Sequence, residues 1–269
     1  MEFRTIVDIA KPDFRIEPCE ELLFVGSCFA DSIGERFREE GFPVTVNPYG
    51  TMYNPASVLH TIEKYEGKPR TAFITLGTNH VYRLKETGEI VDNCEKRPQA
   101  LFQEEELSVD ACADYLRQAI AVLRGRRPDV RVVMTVSPIR YRKYGYHESQ
   151  VSKATLLLAI EKVLPSDGIA GHCTYFPAYE IVMDELRDYR FYAADMLHPS
   201  AQAVEYIWER LVETYFSPEA KAFLDEWRPL KQALGHKPFN PDSEEYRALM
   251  DKTMLKVAEL RKKYSTFAL

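Results

Sequence analysis

A parallel β-sheet covered on both faces by helices is the fold class that this 269-residue chain predicts. Short strand-like apolar runs alternate with amphipathic helical stretches, which is the pattern of βαβ units. The strand runs are continuous rather than alternating, as in strands buried on both faces. The length suits one large α/β core rather than two independent domains.

The elements follow in order. ELLFV (21–25) reads as a buried strand, and Phe29, Ile33 and Phe37 mark one face of a helix over 29–40 that Gly41 stops. PVTVN (43–47) is a second strand and 56–65 a helix; TAFITLG (71–77), rich in β-branched residues, is a third strand. VYRL and EIVDN flank KETG as a hairpin in which Gly88 takes the positive φ. Ser108 caps a helix carrying Val109, Ala113, Leu116, Ile120 and Leu123, and RVVMTVSP (131–138) is a strand that Pro138 ends. Residues 149–164 form a helix whose apolar positions are Val151, Ala154, Leu157, Leu158 and Ile160, and CTYFP is a fifth short strand. A last helix begins at Pro199, which makes His198 its N-cap or the neighbour of the cap. This outlines a domain over 1–216; residues 217–269, helical in pattern and broken by GHKPFNP, form an extension packed on it, with Phe223, Trp227 and Phe239 meeting either the domain or a partner.

Composition narrows the function. A formal charge of −6 and no basic stripe oppose a nucleic-acid partner, and no apolar run reaches the length of a membrane span. MEFRTIVDIAKPDF lacks the features of a secretory signal, so the chain reads as cytoplasmic. Five scattered cysteines without a CxxC pair read as reduced thiols, with no metal implied. Interleaved charges in YEIVMDELRDYRFY read as mutual ion pairs of Glu180, Asp184, Glu185 and Asp188 with Arg187 and Arg190, rather than a metal site. Oligomeric state is not readable.

In parallel sheets ligands bind beyond the carboxyl ends of the strands. GSCF, NPYG, GTNH, SPIR and YFP each follow a strand and therefore converge at one edge. Ser27 stands at a strand-to-helix bend, where first-turn N–H groups bind a developing oxyanion; it is either a nucleophile or simply the helix N-cap. Cys28 beside it is the alternative nucleophile or a packing residue. A serine needs a base, and Asp195-x-x-His198 offers one, the carboxylate folding back on one ring nitrogen and leaving the other for the nucleophile. Tyr53, His80, Arg140 and Tyr175 follow strand ends and are candidates for binding substrate.

The string Gly26-Ser27-Cys28-Phe29-Ala30 resembles the GSCFA family within the SGNH (GDSL-like) hydrolases, as do NPYGTMYNP (47–55), VDNCEK (91–96), SPIRY (137–141), SQVSKA (149–154) and YFPAYEIVMDELRDYRFYAADMLHPS (175–200). The resemblance runs from about residue 20 to 215. It implies a three-layer α/β/α flavodoxin-like fold, a triad of Ser27, Asp195 and His198, and an oxyanion hole from the Ser27 and Gly50 N–H groups with the amide of Asn79, or of Asn93 instead. The implied activity is an esterase needing no cofactor, acting on a small-molecule or carbohydrate ester such as an O-acetyl group. An O-acyltransferase with the same triad and a binding protein that keeps the fold without turnover are the alternatives.

Overall fold

The computed structural model describes residues 4–92 and 97–269. Five strands, β1 (Leu22–Gly26), β2 (Val44–Val46), β3 (Thr71–Leu76), β7 (Arg131–Val136) and β8 (Cys173–Tyr175), form one parallel sheet in the order β2-β1-β3-β7-β8. The connection leaving β1 runs outward to β2, and the chain then returns to lay β3 on the other side of β1. That reversal opens a crevice at the carboxyl ends of β1 and β3.

Strand alternation divides the apolar residues between two cores. Leu22, Phe24, Phe73 and Val133 point to one face, which is covered by α1 (Cys28–Glu39), α6 (Ala201–Tyr215) and α7 (Pro218–Gly235). Leu23, Val25, Ile74, Val132 and Met134 point to the other, covered by α2 (Pro55–Lys64), α3 (Val109–Arg126) and α4 (Gly145–Val163). Aromatic packing dominates the first face: Phe24 stacks on Phe73 with ring centroids 4.4 Å apart, and Phe37 meets Trp208 edge-on at 4.7 Å. The α/β/α layering is therefore present as expected.

Two elements differ from expectation. The hairpin of β4 (His80–Leu84) and β5 (Ile90–Val91) gains a third antiparallel strand, β6 (Phe102–Glu106), on the other edge of β4. Its sequence, FQEEE, has no apolar alternation, and only Phe102 is buried. In α4 the expected apolar face is rotated. Val151 and Leu158 are exposed, while Ser149, Ser152 and Lys153 are buried along with Leu156, Ala159, Ile160 and Val163.

The short helix α5 (Ala178–Glu180) runs into a π turn over Ile181–Glu185. The expected ion pairs form in part: Arg190 meets Asp188 at 3.1 Å and Arg187 reaches Asp184 only at 4.0 Å, while Glu185 turns inward to Arg210 and Glu180 to Tyr175. At the carboxyl terminus, α7 and α8 (Glu244–Lys263) are separated at GHKPFNP. Phe223 and Trp227 join the first core, the Trp227 indole donates to the Glu39 carbonyl at 3.1 Å, and Phe239 stands fully exposed. Cys19, Cys28, Cys112 and Cys173 are free thiols. Among the described residues no helix is long and apolar enough to cross a membrane.

Gly26, the last residue of β1, carries φ +140°, and a Cβ there would lie 2.0 Å from the Thr75 carbonyl oxygen. Gly26→Ala is expected to cost about 3 kcal/mol or more of unfolding free energy, since both the dihedral and the clash oppose it. Urea unfolding checks this, and a loss below about 0.5 kcal/mol, the range of a neutral surface change, would contradict it.

Candidate active site

The bend after β1 assigns different tasks to two adjacent residues. Ser27 has extended backbone (φ −67°, ψ 173°) and is the N-cap of α1, its hydroxyl accepting from the Phe29 N–H at 3.3 Å. Its own N–H donates to the carbonyl and the hydroxyl of Thr75, at 2.9 and 3.0 Å, and its Oγ lies 3.1 Å from Thr75 Oγ1. The residue is 1% exposed. An N-cap side chain folds back over its own first turn, and the Ser27 hydroxyl is bonded to Thr75 and the Phe29 N–H at the end of β1.

Cys28, the first residue of α1, faces outward. Its Sγ lies 3.2 Å from the Tyr53 hydroxyl, and it lines a cavity of about 380 Å³ together with Tyr53, Ile139, Arg140, Leu197 and His198. Burial first, and then the neighbouring thiol, push the Tyr53 phenol up, so that it stays protonated as a donor. The first N–H groups of a helix have no helical acceptor. Those of Phe29 and Ala30 turn to the Ser27 side chain and carbonyl, which leaves the Cys28 N–H at the open end of the helix, where the macrodipole favours negative charge.

His198 reaches the same cavity on a tight loop. Asp195 Oδ2 lies 2.5 Å from His198 Nδ1, and Asp195 Oδ1 accepts the N–H groups of Leu197 and His198 at 2.8 and 3.0 Å. These bonds, the backbone donors foremost, hold the Asp195 carboxyl down to about 2. With Nδ1 engaged, Nε2 is the ring nitrogen left for a reactant. Met196 takes φ +60° inside the loop, and Arg140 pins the loop with two donated bonds: its N–H donates to Leu197 O at 3.0 Å and its guanidinium to Met196 O at 3.2 Å. One detail is corrected. The N-cap of α6 is Ser200 and the helix starts at Ala201, so His198 and Pro199 precede the cap instead of forming it. The Asp195 contact, and not the helix end, holds the ring in place.

The expected oxyanion donors are otherwise engaged. The Gly50 N–H closes a turn onto Asn47 O at 2.9 Å, with φ +98° supplying the reason for glycine. The Asn79 amide donates to Leu107 O at 2.8 Å and its N–H to Ser152 Oγ at 3.0 Å, in a position only 3% exposed. Neither lines the His198 cavity. Asn93 lies outside the described residues. Of the substrate candidates, Tyr53 and Arg140 line the cavity and His80 lines the adjoining one, stacked 3.9 Å from Tyr144 and with its pKa lowered by burial. Tyr175 does not join them, because its hydroxyl is held by Glu180 at 2.7 Å.

Sequence comparison agrees with this architecture. The family model described as "GSCFA family" matches residues 21–73 and 67–211, and a second, described as "GSCFA domain protein, C-terminal domain", matches 227–269. The chain belongs to the GSCFA family. A search of curated proteins found no match. Among solved structures, a variant of Axe2, an acetyl xylan esterase from Geobacillus stearothermophilus, is similar at 13% identity and TM-score 0.44, over 75% of this chain and 98% of that one. A carbohydrate esterase family 3 structure from Talaromyces cellulolyticus is similar at 9% identity and TM-score 0.43, over 77% and 99%.

In this GSCFA chain a buried lysine supports the crevice. Lys153 is 2% exposed, and its ammonium donates to Gly77 O at 2.7 Å and Ser137 O at 2.8 Å, just beyond β3 and β7. One and four residues before it on α4, Ser152 receives the Asn79 N–H and Ser149 the Tyr141 N–H. The SQVSK stretch thus ties both site loops to one helix. Reading Val151 and Leu158 as the inward face hid this clamp; the spacing of Ser149, Ser152 and Lys153 at i, i+3 and i+4 was the available signal.

Burial pushes the Lys153 pKa down to about 7, and it has no ion-pair partner among the described residues. Between that value and the ordinary lysine value the unfolded chain binds the proton and the folded one does not, so this group makes stability rise with pH. Measured by urea unfolding at pH 7, 8 and 9, wild type is expected to gain on Lys153→Met as pH rises, by at most about 1.4 kcal/mol per unit. A difference independent of pH would contradict this.

Proposed function

We propose that the protein is an ester hydrolase that works through Cys28, His198 and Asp195, with Cys28 and not Ser27 as the nucleophile. The observation that carries the reading is that Cys28 and an Asp195-bound His198 line one cavity while the Ser27 hydroxyl is buried against Thr75.

In this mechanism His198 Nε2 takes the thiol proton and Cys28 Sγ attacks the ester carbonyl. The tetrahedral oxyanion forms at the amino-terminal end of α1, beside the Cys28 N–H, with the Tyr53 hydroxyl and the cations Arg140, Arg142 and Lys143 on the cavity wall. Collapse expels the alcohol, which takes its proton from His198, and leaves a thioester on Cys28. Water, deprotonated by His198, then attacks the thioester and releases the acid. Asp195 keeps its proton-free state throughout and holds the imidazole in one tautomer. Axe2, to which the chain is similar, is an acetyl xylan esterase, and a carbohydrate ester is accordingly one substrate class to screen.

With p-nitrophenyl esters, Cys28→Ala and His198→Ala are each expected to lower kcat by about a thousandfold or more. Ser27→Ala is expected to keep turnover within about tenfold and to lose about 1 kcal/mol of stability as a missing N-cap. The reverse pattern, with Ser27→Ala inactive and Cys28→Ala active, would return the nucleophile to Ser27.

A further inference from the structure

Next to the Cys28 cavity lies a second cavity of about 310 Å³, and the two share Ile139 and Arg140. Its deep wall is apolar: Val182 and Leu186 are buried at 1% and 3% exposure, and Met183 and the rings of Tyr179 and Tyr192 complete it. The π turn over Ile181–Glu185 brings Val182 and Met183 here, an irregularity common at functional positions.

The polar residues at the α4 side of this wall are already committed, and Arg187 and Asp188 stand at the exposed rim. Ser149 Oγ receives the Tyr141 N–H, Gln150 receives the Tyr179 hydroxyl, and the Lys153 ammonium is held by the Gly77 and Ser137 carbonyls. Arg140 at the shared rim lies over the Tyr146 and Tyr192 rings, at 4.2 and 5.3 Å. What the interior of the cavity offers a ligand is therefore mainly apolar and aromatic surface, with Arg187 and Asp188 at its rim. Sharing Tyr53 and Tyr141 with the Cys28 cavity, and no residue with the Val182–Leu186 cavity, lies a third cavity of about 260 Å³ in which Thr51, Asn54, Thr78 and His80 stand among tyrosine rings.

We infer that the Val182–Leu186 cavity holds the acyl chain of the substrate, that this chain is longer than acetyl, and that the hydroxylated leaving group lies on the Thr51–His80 side. The inference rests on the proposed nucleophile only in placing the carbonyl between the two cavities. Water-sized groups occupy roughly 30 Å³ each, so the cavity has room for about ten, against a single methyl group in an acetyl ester. A chain of about six to eight carbons fills it while leaving space at the rim.

N-alkyl iodoacetamides from methyl to octyl test this without requiring turnover. The thiol displaces iodide, an S–C bond forms and the thiol proton is lost to the medium, and peptide mass spectrometry follows the Cys28 adduct. Rates are normalised to those of N-acetylcysteine. Each methylene entering the cavity is expected to raise the Cys28 rate about fourfold while alkylation is below saturation, up to about six carbons, and Met183→Trp, which fills the cavity, is expected to flatten the series. A flat series in the wild-type protein, or no Cys28 adduct with any reagent, would overturn the inference. A rising series in a protein that hydrolyses no ester would keep the cavity assignment and sink the hydrolase reading; ester hydrolysis with a flat series would do the reverse.

Discussion

The contact between Gly26 and Thr75 is the constraint on which the crevice depends. Only a residue without a Cβ lets β1 end this close to the Thr75 carbonyl, and the backbone leaves Gly26 in a conformation that L side chains rarely adopt. Ser27 is thereby drawn onto Thr75 through its N–H and its hydroxyl, and its extended backbone makes it the N-cap of α1. Once the cap is assigned, the next residue begins the helix and faces outward. The cysteine reaches the cavity because the serine is used to start the helix.

The opposite wall is held by a different kind of force. The His198 loop is nearly all local hydrogen bonding, with one carboxylate serving two backbone donors and an imidazole, and an arginine holding the loop's carbonyls. Lys153 performs the matching task from below, where one ammonium satisfies the carbonyls that end two strands. A buried cation is costly, yet the carbonyls that it serves would otherwise face a core with no donor. Positioning, on this account, comes from polar groups placed under an apolar sheet.

Much of this was legible in the residues. Alternation of strands and helices sufficed for the layered sheet, because apolar runs buried on two faces have few other uses, and the Asp195-x-x-His198 spacing sufficed for the acid and imidazole, because a three-residue separation lets a turn close on itself. The choice between Ser27 and Cys28 was not legible. Both lie at the bend, and which one faces out depends on dihedrals set by Thr75, forty-eight residues away along the chain. The α4 face was misread because its inward residues are polar, and periodicity methods count apolar residues. FQEEE escaped for the same reason, since its pairing with β4 is made by the backbone. Gly50 and Asn79 carry the expected identities at the expected places, but their donors close a turn and anchor a loop, which only the three-dimensional partners reveal.

The most direct test of the account is to identify the atom that carries the acyl group. Mixing the protein with a p-nitrophenyl ester, quenching in acid within the pre-steady state and mapping the adduct by peptide mass spectrometry, with and without neutral hydroxylamine, reads that atom. The account predicts an acyl group on Cys28 that hydroxylamine removes as expected of a thioester. An adduct on Ser27 that resists hydroxylamine would contradict it.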